Sequence, residues 1–565
     1  MIVSMKHSGD SGDKINILQE NPARRGFSIS YLGKTLLSRI DPVAQGERLA
    51  AEIPSKERTL YFCPSPLYGY GLSVLLDKLK PSSVVLCVEA DEKLFEISRK
   101  ALGENSCRLS LLKATSPESV CGFVRKTYGE RAFRRLEEIR LGGGWQLFPR
   151  IYEDLAQALR REIALEWGNA ITLIHLGRLY TRNLIRNLSI LHESDNISSL
   201  NYSTPALVLG AGPSLDSSLE ELSALWKGKI PAPEERRFRI ICVDTCLPAL
   251  NERQIRPDLV VILESQHWNL RDFTGLRDLK IDAAIDLSAL PASGRVLAGK
   301  RYFFATQWTR LTLFKRLGEA GLLPEIFHPL GSVGLSAVNL ALNAGACPVI
   351  TGGIDFSYTL DAYHARSTPG NLSLQLGQNR FRRLFSAEAA FREGSKPAIS
   401  KAGNQTRSDP AMLNYRNIFE QEFGGNKNLL DISGSGLPLG LKTLNPTEAF
   451  AILNASGKNE TSHPAFPPRV KNLFSNQREK IAAFIRLEME TLETLKDMLS
   501  GIIPSDTNRL EELLDTADYL WAHFPDAYRR PPSRDISFLK RVRVEIEPFH
   551  KLWEMSLGES LKVKS

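Results

Sequence analysis

The sequence predicts an α/β protein: a central Rossmann-like, mostly parallel sheet domain, a smaller N-terminal α/β domain and a helical C-terminal domain. Three observations carry this. Between residues 205 and 356 short apolar runs alternate with helical segments, the mark of strands buried on both faces of a parallel sheet. A shorter version of the same alternation runs from Thr59 to Glu89. Beyond residue 450 the apolar spacing changes to a helical period.

The elements follow in order. FSISYLGKTLLS, at 27–38, reads as a short hairpin inside a polar leader, and continuous order is expected to begin near residue 56. From Thr59 a strand (TLYFCP), a Gly turn, a helix (LSVLLDKL) and a second strand ending at Glu89 make a βαβ unit. The turn is Tyr68, Gly69, Tyr70, Gly71, and an acid closes the next strand, loosely as in nucleotide-binding turns. It lacks the third glycine of that fingerprint, so a turn selected for tight packing is the competing reading. LGGGWQ then precedes two helical stretches, IYEDLAQALRREIALEW and LIHLGRLYTRNLIRNLSIL.

The central strands are ALVLGAG, RIICVD, LVVILE, AAIDLS, RYFFATQ and CPVITGGID. Residues 395–445 are polar and Gly-rich, with one helical piece (PAMLNYRNIFEQEF) and a strand-like LLDISG. After the Pro-marked linker SHPAFPP, Ile481, Phe484, Ile485, Leu492, Leu495 and Leu499 share a helical face, and two helices follow (RLEELLDTADYLWAHF and FLKRVRVEIEPFHKLWEMSL). The expected domains are 1–142, 143–450 and 451–565.

Composition narrows the function classes. At 565 residues the chain is too long for one small binding module, and 42% apolar with 24% charged residues is the profile of a globular protein. The net charge of +8 is spread among interspersed acids, which suits anionic ligands without demanding nucleic acid. Seven cysteines, mostly in apolar runs, point to reduced thiols, and Cys242 with Cys246 lacks metal or redox spacing. With neither a signal peptide nor an apolar run of about 18 residues, a cytoplasmic location is expected.

Chemistry is expected first at Gly210, Ala211, Gly212, Pro213, Ser214 and Leu215, between a strand and a helix. Such a turn aims backbone N–H groups and a helix dipole at one point, where a nucleotide phosphate fits. The competing reading is a bare turn with a capped helix, because neither GK[ST] nor GxGxxG is present. Gly331, Ser332, Val333 and Gly334 open a second helix, LSAVNLALNAG. PVITGGID delivers Asp355, followed by Tyr358 and then Tyr363 and His364. Asp244 and Glu264 close two other strands, placed to bind ribose hydroxyls or a cation, or simply to be solvated.

Four segments together, GAGPSL at 210–215, PDLVVILE at 257–264, GSVGLSAVNLALNAGACPVITGGIDFSY at 331–358 and YHA at 363–365, resemble the motility accessory factors. These are flagellin-modifying proteins whose central domain is similar to bacterial sialyltransferases. The resemblance spans roughly residues 160–450 and implies a sialyltransferase-like topology. It also implies transfer of a nonulosonic acid, of pseudaminic or legionaminic type, from its CMP donor to Ser or Thr hydroxyls of flagellin. Carried over, the Gly210–Ser214 turn would hold the cytidine phosphate, with Ser332 and Gly334 touching it from the second turn. Tyr358, with Tyr363 as the other candidate, would meet the departing phosphate, and His364 would be the general base. An imidazole, with its ordinary pKa of about 6.5, suits that task at neutral pH.

Asp244 and Glu264 depart from the amides of those sialyltransferases, which leaves a divalent metal an open expectation. The same domain resembles archaeal 6-hydroxymethylpterin diphosphokinases, where ATP and Mg2+ account for the acids. A flagellin-binding chaperone without catalysis is the third reading.

Overall fold

The computed structural model describes residues 18–562 except 130–131, 228, 310, 360–361, 382, 384–392, 456–473, 475–476, 504–505 and 526–534. The SHPAFPP linker falls outside the described residues. The described residues divide into two compact units, one reaching to His175 and the other beginning at Leu176.

In the first unit β1 (Gln19–Pro22), β2 (Phe27–Tyr31) and β3 (Lys34–Thr35) form an antiparallel sheet, with the expected hairpin turning at Leu32 and Gly33. Order sets in well before residue 56. The helix Pro42–Glu52 starts on an Asp41 cap that accepts from the Ala44 N–H. It buries only Pro42, Gly46 and Ala50, small side chains that leave no apolar stripe to read. Then β4 (Thr59–Pro64), β5 (Val84–Glu89), β6 (Leu109–Lys113) and β7 (Arg135–Glu138) build a parallel sheet in the order β6-β5-β4-β7. Leu60 and Phe62 enter the core on one face, Tyr61 and Cys63 that on the other, as the period of two requires.

The Gly69–Gly71 turn is tightly packed. A Cβ on Gly71 would overlap the Gly46 carbonyl, and one on Gly46 the Tyr70 carbonyl. Glu89, at the position of a ribose acid, is fully buried and accepts from Ser65, Ser98, Tyr152 and the Leu67 N–H. Burial raises its pKa to about 7.

The two helical stretches ahead of the central sheet are one helix, Pro149–Ser189, since nothing between them breaks the backbone ladder. In the second unit the strands are β8 (Asp195–Asn196), β9 (Ala206–Leu209), β10 (Arg239–Val243), β11 (Leu259–Ile262), β12 (Asp282–Asp286), β13 (Arg301–Thr306), β14 (Ile326–Phe327), β15 (Val349–Gly352), β16 (Lys396–Ile399), β17 (Gln405–Ser408), β18 (Leu429–Ile432) and β19 (Lys442–Leu444). The large sheet is parallel, in the order β14-β13-β12-β11-β10-β9-β15-β18-β19, with β8 beside β13. Strands are added outward from β9 as far as β14, and then β15 joins on the other side of β9. That reversal makes a switch point at the carboxyl ends of β9 and β15, where open α/β sheets form a crevice.

β16 and β17 form an antiparallel hairpin, and the β17 residue Arg407 bridges to Tyr358. The tail helices Arg478–Leu499, Thr507–Thr516 and Ile536–Ser560 belong to this unit. Ile481, Phe484, Ile485, Leu492 and Leu495 are buried as expected, while Met498 is buried where Leu499 was read. The helix read through RLEELLDTADYLWAHF stops at Thr516, and Asp518 turns to accept from the Thr312 N–H. No described helix is long and apolar enough to cross a membrane.

Candidate functional site

Two loops meet at the switch point. Gly210 N–H donates to the Gly352 carbonyl and Gly212 N–H to the Gly353 carbonyl, both at 2.8 Å. Ser214 donates its N–H and its hydroxyl to the two carboxylate oxygens of Asp355. The fit is close: a Cβ on Gly212 or on Gly436 would lie 2.5 Å from an Asp355 oxygen. The sequence suggested a phosphate at this turn and Asp355 at the donor. In the structure the Asp355 carboxylate takes the phosphate's place, because the acid at the end of β15 reaches the helix start Leu215–Leu225 directly. Ala211 turns its carbonyl toward the Ala365 N–H at 3.0 Å, and Pro213 accepts from the Asp216 N–H, so the whole turn is tied into the fold.

That Ala365 bond brings the His364 loop against the turn. Further along, the Arg366 N–H donates to Asp216, and the Thr368 hydroxyl to the Ala365 carbonyl. His364 rests against Gly370 at the start of the helix Pro369–Leu376. Tyr363 packs on Tyr358 with ring centroids 5.0 Å apart. Tyr358 is only 2% exposed, and its hydroxyl has no hydrogen-bond partner among the described residues. A buried unpaired hydroxyl costs about 1–3 kcal/mol, which makes it a mark of an absent ligand or of strain.

The second Gly turn leaves its helix start uncapped. Gly331, at φ 73°, leads into the helix Val333–Asn343, for which Ser332 provides no side-chain cap. Gly334 lies beside Ile354, and a Cβ there would meet nothing closer than 3.7 Å. The helix packs against β9, β10, β11 and β15, and its first N–H groups face the crevice end of the sheet. Of the two turns read from the sequence, this one retains the features of an anion site.

The acids line the neighbouring strand ends. Asp244 is buried and accepts from the Thr245 N–H and from Asn269 Nδ2 at 2.7 Å. Asn269 Nδ2 also donates to Asp272 at 3.1 Å. Burial, and then the charge of Asp272, push Asp244 up to about 7, while burial takes Asp272 to about 6. Glu264 is exposed and accepts from the Gln266 N–H. Among the described residues no group of three or more His, Cys, Asp or Glu is arranged to hold a metal ion.

Tyr180, on the long helix, links these parts: burial, then Glu264, Asp286 and Tyr415, raise its pKa to about 12. The ring of Tyr415 in turn lies against Gly331. Asn183 and Asn187 of the same helix donate to carbonyls of Ser265, Ser288, Leu287 and Ala289, which fixes the loops after β11 and β12. Sequence reasoning missed Asn269, Asp272 and Tyr180. Asn269 and Asp272 sit in the aperiodic HWNLRDF stretch, and Tyr180 on a helix read only as a connector.

The fold and the crevice define an α/β protein with a polar site at the switch point of a parallel sheet. Residues 180–361 match a family model described as 6-hydroxymethylpterin diphosphokinase MptE-like. An uncharacterised protein of Treponema pallidum (strain Nichols) is 30% identical over 549 residues, 94% of each chain. A second from that organism is 24% identical over 135 residues, 23% of this chain and 60% of its own. The structure of the MAf glycosyltransferase from Magnetospirillum magneticum AMB-1 superposes with a TM-score of 0.55 at 14% identity, covering 97% of this chain and 93% of that one. The chain belongs to one family with the first of these Treponema pallidum proteins, matches the MptE-like model over 180–361 and shares its fold with the MAf glycosyltransferase.

Proposed function

We propose that this chain is a cytoplasmic glycosyltransferase that moves a nonulosonic acid from its CMP donor to Ser or Thr hydroxyls of flagellin. The observation that carries this reading is the Tyr358 hydroxyl, buried without a described partner, on a ring packed at a tilt against Tyr363 of the His364 loop. A departing phosphate supplies the acceptor that this hydroxyl lacks. The likeness of fold to the MAf glycosyltransferase supports the same assignment.

In this reading the uncapped N-terminus of Val333–Asn343, with Ser332, receives the donor phosphate. His364 removes the proton of the acceptor hydroxyl as its oxygen bonds to the anomeric carbon. The bond from that carbon to the phosphate oxygen breaks, and CMP leaves with the electron pair. Charge develops on the leaving phosphate while the sugar passes through an oxocarbenium-like state, so donors fixed at the phosphate act where they are most effective.

The test is the mass of flagellin after incubation with a CMP-nonulosonic acid. Wild type is expected to add the sugar mass, and His364→Ala to be slowed by about 10²–10⁴-fold. Tyr358→Phe is expected to lower the rate while leaving stability unchanged or slightly raised, because it deletes an unpaired buried hydroxyl. No mass increase with wild type overturns the assignment. The MptE-like match over 180–361 favours a second reading, pyrophosphoryl transfer from ATP to a hydroxymethylpterin with Mg2+, and AMP release in that mixture would establish it.

A further inference from the structure

One short segment after β11 has two faces. Within His267–Phe273, Asn269 and Phe273 turn inward and are buried, while Trp268, Leu270 and Arg271 face solvent. Asn269 is 3% exposed; its Nδ2 binds Asp244 and Asp272, and its Oδ1 has no donor among the described residues. Asp272 is half-buried, with Oδ2 held by Asn269 and the Thr245 hydroxyl and Oδ1 receiving no bond from a described residue. In the same segment Trp268 is 56% exposed, and the Arg271 guanidinium covers one face of its indole at 4.4 Å.

These parts suit hydroxyls and reject phosphate. Carboxylate and amide oxygens accept from O–H groups, an indole face packs on the C–H face of a sugar ring, and the acids repel an anion. We propose that Asp272 and Asn269 bind a vicinal diol of the substrate, with Trp268 stacked on the ring that bears it. This deepens the transferase reading and rests on it. The diol is that of the nucleotide's ribose.

The test is calorimetric titration of the full chain with CMP, 2′-deoxy-CMP and CMP-N-acetylneuraminate, in wild type, Asp272→Asn and Trp268→Ala. Loss of a hydrogen bond to a charged group is expected to weaken binding by about 10–100-fold. Wild type is expected to prefer CMP to 2′-deoxy-CMP, and Asp272→Asn to erase that preference. A wild type that binds the two nucleotides alike overturns the inference, whatever it does with CMP-N-acetylneuraminate. Trp268→Ala alters an exposed side chain and keeps the test valid should Asp272→Asn fail to fold. Variants that bind all three ligands as wild type does overturn this inference alone. A wild type that binds none of them overturns the transferase reading and this inference with it.

Discussion

Gly212 and Gly334 open the two helices that face the crevice, and the same change, Gly to Ala, is expected to act on them in opposite directions. Neither has a positive φ, so backbone strain is not the issue and the space around the new methyl decides. At Gly212 the methyl carbon would sit 2.5 Å from Asp355 Oδ2, 2.7 Å from its Cγ and 2.8 Å from its Cβ. The obstacle is a buried carboxylate already held by the Ser214 N–H and hydroxyl. If only the overlap is relieved, overpacking costs about 1–3 kcal/mol. If Asp355 is expelled, two hydrogen bonds to a charged group are lost, each contributing about 1.5–3 kcal/mol. Gly212→Ala is therefore expected to destabilise the larger unit by roughly 1–6 kcal/mol.

At Gly334 the nearest atoms would be Ser332 Oγ at 3.7 Å and two Ile354 carbons at 3.8 and 3.9 Å, ordinary contact distances. Here the methyl restricts the unfolded chain and should stabilise by about 0.4–1 kcal/mol. The assay is urea unfolding followed by circular dichroism, compared as midpoint shifts at constant slope, because a chain of two units need not unfold in one step. A Gly212→Ala midpoint equal to wild type, or a Gly334→Ala loss above about 1 kcal/mol, refutes the argument from space.

Two further predictions concern buried charge. Asp244 and Asp272 have folded pKa values of about 7 and about 6, above the ordinary 3.8, so the folded state binds protons more tightly than the unfolded. Their contribution is fully present below about pH 4 and is lost as the pH rises toward 7, so Asp244→Asn should flatten the fall in stability measured between pH 4 and 8. An unchanged slope counts against the burial argument. Lys401 Nζ lies 2.7 Å from Asp431 Oδ2, with side chains 2% and 1% exposed. Lys401→Met should cost about 3–5 kcal/mol, and adding Asp431→Asn, which keeps an acceptor for the Thr351 hydroxyl, should recover more than 1 kcal/mol of it in a double-mutant cycle.

How much of this was legible depended on whether the signal is local. β9 to β13 and β15 were readable because burial on both faces makes each an unbroken apolar run, such as Leu259–Ile262. The helix Pro42–Glu52 was not, because its buried positions are Pro, Gly and Ala. At the site, the conjunction of Gly turns, the Asp355 strand end and the Tyr358–His364 stretch was legible, and these do meet at one switch point. What Asp355 does there was not, since its partner Ser214 lies 141 residues earlier. A helix start with a free N–H and one already occupied by a carboxylate look alike in sequence; only the closing of the sheet distinguishes them.

That distinction gives the crevice a direction. With Asp355 seated on the first helix, the uncapped start of Val333–Asn343 remains to attract an anion, while Asp244, Asp272 and Glu264 lie at the ends of β10 and β11 or just beyond. A phosphate placed about 4 Å from one ionised carboxylate meets a repulsion of about 4 kcal/mol at an effective dielectric constant of about 20. That equals a factor of nearly a thousand in occupancy. Halved by partial protonation of Asp244 and Asp272, it still disfavours the reversed pose by about 30-fold. The proposed donor is therefore oriented by repulsion as much as by attraction: phosphate toward Ser332, hydroxyls toward Asp272. Replacing the acids by amides would be expected to relax this orientation before it weakened the fold.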